Sequence, residues 1–69
     1  MLILDVQALG TQVRQRRKEL GLSQLDAAGL CGVGERFLSE LERGKPTVQL
    51  GKVLQVIRRL GLRMAVEQP

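Results

Sequence analysis

Histidine and tyrosine are absent from this sequence, and cysteine occurs once, as Cys31. Without imidazole, phenol or a second thiol, no nucleophile–base pair and no metal cluster can be assembled. An enzyme is therefore the least expected reading, and no metal, other cofactor or small-molecule ligand is anticipated. A disulfide is excluded for the same reason, and the lone thiol, set between Leu30 and Gly32, reads as a small buried filler. No apolar run approaches the ~20 residues of a membrane span. Met1-Leu2-Ile3-Leu4 has neither the basic flank nor the length of a secretory signal and meets Asp5 at once, so a cytoplasmic protein is expected. With 69 residues, the chain is expected to form one domain over 1–69. A chain of this size buries only about 60% of its surface and is marginal unless stapled. Oligomerisation is the staple that remains.

What is present is positive charge and a patterned centre. Eleven Lys and Arg against seven Asp and Glu give a formal charge of +4, which suits a polyanion and places nucleic acid ahead of lipid as a partner. Charge alone is weak support, since many small basic proteins bind nothing of the kind. The pattern carries more. Ser23 is a good N-cap with Asp26 three residues on, so a helix is expected from Gln24 to about Cys31, broken by Gly32. Gly34 can open a second helix, Glu35 to Arg43, with Phe37, Leu38 and Leu41 inside and a stop at Gly44. Its outer face is Glu35, Arg36, Ser39 and Glu40. Two short helices about a glycine turn form the arrangement that sets a helix in the DNA major groove, with the first two turns of the second helix at base edges. Arg36 is the side chain built for readout, because a guanidinium can grip guanine O6 and N7 with two bonds.

Leu22-Ser23-Gln24, Ala28, Gly32-Val33, Leu38-Ser39 and Glu42-Arg43-Gly44-Lys45 stand in the order and register of the XRE, or lambda-repressor and Cro-like, helix-turn-helix family, which the chain resembles over roughly 9–62. Arg36 through Thr47, followed by Val53-Leu54-Gln55-Val56 and Leu60-Gly61-Leu62, looks more narrowly like the HipB-type antitoxin branch. That branch consists of small dimeric repressors that restrain a HipA-type serine/threonine kinase. The resemblance implies an all-α domain of four to five helices, a bacterial setting, association with the nucleoid when bound, and a kinase toxin as partner. It also implies a phosphate clamp at Gln24, where the helix N-terminus already favours an anion. Arg43 and Lys45 look like further phosphate contacts; as cations at a helix C-terminus they have a structural role too.

Arg36, Ser39, Glu35 and the backbone N–H of Gly34 are the base-reading candidates. Glu35 would orient Arg36 or accept from cytosine N4, whereas Glu40 reads as solvent-exposed. Arg17 is in phase with Val13 and Leu20, so its stem is expected on the core and its head needs a partner. Glu42 is the candidate, and in relatives the matching pair forms beneath the turn. Arg14 and Lys18 read as a solvated face. One departure bears on packing: Ala27 stands where most relatives have leucine, a loss of about 2–5 kcal/mol unless Leu30, Phe37 or a shifted Leu25 refills the space.

A first helix is expected from Asp5 or Val6 to Leu20 with Gly21 as its left-handed cap, its inner face carrying Val6, Leu9, Val13 and Leu20. A last helix is expected from a Thr47 N-cap to Leu60, with Leu50, Val53, Leu54, Ile57 and Leu60 on one stripe and Val56 off it. The helical core thus covers 5–61. Beyond it, Leu62, Met64 and Val66 alternate with Arg63, Ala65 and Glu67, the period of a strand with one apolar face. A single strand must fray, pair with the short Leu2-Ile3-Leu4 segment, or pair with its copy in a second subunit. Pairing of 62–67 with its copy in a homodimer is expected, the extended segment 1–4 adding to the same sheet. Two recognition helices would then stand about 34 Å apart on an inverted-repeat operator in double-stranded DNA. The functional expectation is a sequence-specific repressor acting as antitoxin of a type II toxin–antitoxin pair, autoregulating its operon. The alternative is a protein-interaction module, or a stand-alone phage-type repressor, with no toxin partner.

Overall fold

The computed structural model describes residues 5–68; the expected N-terminal segment 1–4 lies outside them. Four helices follow in order: α1 (Val6–Glu19), α2 (Gln24–Cys31), α3 (Glu35–Glu42) and α4 (Leu50–Arg59). Asp5 starts α1, its Oδ1 accepting from the N–H of Ala8 at 2.8 Å. Ser23 starts α2, its Oγ accepting from the N–H of Asp26 at 3.0 Å. Each satisfies a donor that has no partner within the helix. The turn between α2 and α3 depends on Gly32, whose φ of +71° is left-handed and whose neighbour Val33 donates its N–H to the Ala28 carbonyl at 3.0 Å.

The core is Val13, Ala27, Ala28, Cys31, Leu38, Leu41, Val53, Val56, Ile57 and Leu60, with Leu9, Leu22, Val33, Phe37, Val48 and Leu62 partly buried around it. α1 meets α3 through Gly10, Val13 and Arg17. A Cβ on Gly10 would run into the carbonyl oxygens of Leu41 and Glu42, the latter at 2.7 Å, so these two helices approach as closely as they do only because the residue is glycine. Leu20, expected on this face, is instead the exposed C-cap of α1. Ala27 is fully buried. Of the three residues expected to refill its missing volume, Phe37 packs on the core, whereas Leu25 and Leu30 are exposed.

The largest departure from the sequence reading is the rotation of α4. Val56 is fully buried, while Leu50 and Leu54 are exposed, so the buried stripe is Val53, Val56, Ile57 and Leu60. Packing against α2 decides this. The Gln55 amide donates to the carbonyl of Cys31 at 2.6 Å and the Cys31 thiol lies 3.9 Å from the carbonyl of Val56, which turns the 55–56 side of α4 toward the end of α2. α4 also starts later than expected: Pro46 and Thr47 lie in a turn that brings Val48 against the core, and Gln49, not Thr47, is the N-cap, with no side-chain hydrogen bond. At its far end Arg16 Nε donates to the carbonyl of Leu60 at 2.9 Å, joining α1 to the last turn of α4.

No strand occurs among the described residues, which corrects the expected C-terminal strand. Leu62 packs on the core, Met64 is 41% exposed and Val66 is 96% exposed. A strand needs a second edge for its N–H and C=O groups, and residues 62–68 meet none among the described residues.

Candidate nucleic-acid interface

The angle between α2 and α3 is held from beneath by a buried ion pair. Arg17 Nε and Nη2 donate to the two carboxylate oxygens of Glu42 at 2.7 and 3.0 Å, a bidentate fork, and Nη1 donates to the carbonyl of Leu22 at 2.8 Å. Both residues are buried. The hydrogen bond to Glu42 raises the Arg17 pKa further above its ordinary value, offset in part by burial, so the guanidinium is charged at every accessible pH. Gln24 adds a third member: its Nε2 donates to Glu42 Oε1 at 3.2 Å. One cluster thereby ties α1, the start of α2 and the end of α3. The half-buried Gln24 amide spends one hydrogen on this cluster, and an amide has a second to offer a ligand.

The outer side of α3 is open. Glu35 and Arg36 are exposed, with the Arg36 side chain at 91%, and Ser39 is half-buried one turn on. Gly34 is an exposed N-cap without a side chain to cap or to read. Arg43 is the exposed C-cap of α3, and Gly44 follows at φ +81°, packed against Gln7 of α1 so closely that a Cβ would meet the Gln7 backbone at 2.8 Å. This left-handed residue turns the chain back: Lys45 N–H donates to the Glu40 carbonyl at 3.1 Å.

Glu40 is not the solvated carboxylate expected from the sequence. Its side chain is only 20% exposed, its Oε2 accepts from Lys45 Nζ at 2.8 Å and lies 4.0 Å from Arg36 Nε. The Lys45 hydrogen bond, opposed by burial and helped by the charges of Lys45, Arg36 and Arg43, holds the Glu40 carboxyl below the usual glutamate range. No carboxylate of Glu35 takes part in a bond to Arg36; the acid nearest the guanidinium is Glu40. The sequence signal for this tie is a glutamate five residues before a lysine with a glycine stop between them. Glu40 thus brings Arg36 and Lys45 together, with the Arg43 charge acting on the same carboxylate, whereas Gln24 is tied to the buried Glu42 on the other side of α3, and Leu62, Met64 and Val66 lie on the tail after α4.

The chemistry available is recognition. Cys31 is buried, and burial pushes its thiol pKa up, against a small opposing effect of Arg59, the reverse of a reactive thiolate. No metal-binding group of three His, Cys, Asp or Glu occurs among the described residues, and no helix there is long and apolar enough to cross a membrane.

Comparison with known proteins agrees with this geometry. A helix-turn-helix domain family matches residues 8–68. The uncharacterized HTH-type transcriptional regulator y4mF of Sinorhizobium fredii is 51% identical over 61 residues, covering 88% of this chain and 80% of the relative. Among solved structures, a HipB-O4 20mer complex and a HipA-HipB-O2-O3 complex each superpose with a TM-score of 0.87 at 19% identity, covering 99% of this chain and 96% of the other. At that identity the likeness is one of fold, and it extends to the all-helical four-helix arrangement. The chain belongs to the helix-turn-helix family of DNA-binding transcriptional regulators, a family of regulators and not of enzymes.

Proposed function

We propose that the protein is a sequence-specific transcriptional repressor and the antitoxin of a toxin–antitoxin pair. The observation that carries the DNA reading is the open Arg36 side chain on the first turn of α3, flanked by Arg43 and Lys45 on the same surface. In this role Arg36 and Ser39 contact base edges, with Glu35 and the Gly34 N–H beside them, while Gln24, Arg43 and Lys45 contact phosphates and supply the salt-dependent part of the affinity. The acidic Glu40 does not argue against DNA, because Lys45 and Arg36 neutralise it.

The antitoxin role and a HipA-like kinase partner are supported by the fold shared with HipB, one of whose structures is a complex with HipA. Dimerisation through 62–67 is supported by the alternation of Leu62, Met64 and Val66 and by the exposure of Met64 and Val66. It would place two α3 helices on an inverted repeat in the bacterial cytoplasm.

Selection of duplexes from a random pool tests the reading. An enriched inverted repeat with half-site centres about 10 base pairs apart is expected; no enrichment would leave an interaction module. Removal of residues 62–69 is expected to give a monomer in sedimentation, and a truncated chain that stays dimeric would refute pairing through the tail.

A further inference from the structure

Glu40 joins two side chains that the DNA reading uses for different tasks. Its Oε2 is 2.8 Å from Lys45 Nζ and 4.0 Å from Arg36 Nε. The carboxylate is the sheltered member of the group, 20% exposed against 47% for the Lys45 side chain and 91% for Arg36. Lys45 is also tied to the same residue through the backbone, its N–H bonded to the Glu40 carbonyl across the left-handed Gly44. A lysine held at both ends in this way has lost rotamer freedom before any ligand arrives. Its charge is partly cancelled, which weakens attraction to a phosphate backbone of any sequence. A bare carboxylate at this place would only repel DNA.

We propose that Glu40 is a positioning residue for DNA selectivity: it holds Lys45 and Arg36 at the outer edge of α3 and restrains both from binding phosphate indiscriminately. Firm binding then requires a duplex that presents a phosphate to Lys45 and a base edge to Arg36 together. The inference rests on the DNA-binding reading and deepens it, moving the orienting acid from Glu35 to Glu40.

The test uses the full chain, its Glu40→Gln, Lys45→Ala and doubly substituted variants, a duplex selected from a random pool and a scrambled duplex, at two salt concentrations. Glu40→Gln is expected to bind the scrambled duplex more tightly with a salt slope steeper by about one unit. The ratio of selected to scrambled affinity is expected to fall about tenfold, the scale of one disturbed base contact. Both changes are expected to vanish when Lys45 is also alanine. Glu40→Asp, which keeps the charge at shorter reach, is expected to retain most of the ratio. A Glu40→Gln variant that gains equally on both duplexes, leaving the ratio intact, would overturn the role and leave only a deleted charge; so would a change that persists without Lys45. A parent protein with no selectivity would overturn the DNA reading and this inference together, whereas a selective parent with an unaltered ratio in Glu40→Gln removes this inference alone.

Discussion

Glu40 and Glu42 stand two residues apart on α3 and face opposite sides of it. Glu42 points inward, buried, with both oxygens in the fork of Arg17 and one also taking the Gln24 amide. Glu40 points outward, accepts a hydrogen bond from Lys45 and lies 4.0 Å from Arg36 Nε. The same side chain thus does two jobs, separated by the helical rotation of two residues. Beneath α3 a carboxylate fixes the angle at which the helix is carried; above it, a carboxylate arranges the cations that the helix presents. Burial sets the energetic difference. A buried charge that loses its partner is costly, whereas an exposed ion pair contributes little to stability and is screened by salt. Losses on the inner side are therefore expected to destabilise the protein strongly, and losses on the outer side to leave its stability in place and change what it binds.

The largest effect expected is from Glu42→Ala, which leaves the Arg17 guanidinium buried without its carboxylate, at about 3–5 kcal/mol of stability. Urea unfolding measures it, and an Arg17→Met, Glu42→Leu double replacement is expected to regain most of the loss. A Glu42→Ala protein as stable as the parent would erase the contrast between the two faces.

Next is Arg36→Ala, expected to leave the unfolding midpoint in place and to weaken selected DNA by about 1–3 kcal/mol while relaxing preference at one position. Equal losses on selected and scrambled duplexes would remove its reading role. Lys45→Ala is expected to be smaller still and uniform across sequences, with a salt slope flatter by about one unit.

The smallest effect concerns Glu40 itself. Because its carboxyl is held below the usual range by Lys45, the tie is complete above the ordinary glutamate pKa of about 4.3 and is lost as pH falls through the lower folded value. In a carbon-13 NMR titration its midpoint is expected below that of an unperturbed glutamate, and to move up toward it in Lys45→Ala. An unchanged midpoint in that variant would mean Lys45 is not its partner.

Local spacing made the centre of the molecule legible. Ser23 and Gly32 start and stop α2 through bonds spanning three to five residues, the range over which sequence pattern reports directly. The helical phase of Arg17 likewise demands a buried partner for its head group, and Glu42 occupies that place. What escaped depends on distant placement. Val56 and Leu54 are equally apolar, and only the seating of α2 on α4 decides that the first is covered and the second open. Gly10 is unremarkable in sequence, yet it sets the distance between α1 and α3. At the candidate interface, Arg36 was legible because its residue type and position suffice. Glu40 was not, because its tie to Lys45 is made only after Gly44 turns the chain back. The alternation at 62–67 marks an apolar edge but does not create a strand, which needs a second edge from another chain.

The central claim is that the outer side of α3 reads DNA on a scaffold locked from within. A binding titration of the full chain against DNA upstream of its own reading frame and a scrambled copy, at two salt concentrations, tests it most directly. The account predicts at least ~1000-fold preference for the upstream DNA, dependent on an inverted repeat and retained as salt rises. Weak binding, equal on both duplexes and lost with salt, would contradict it and reduce the basic surface to charge attraction alone.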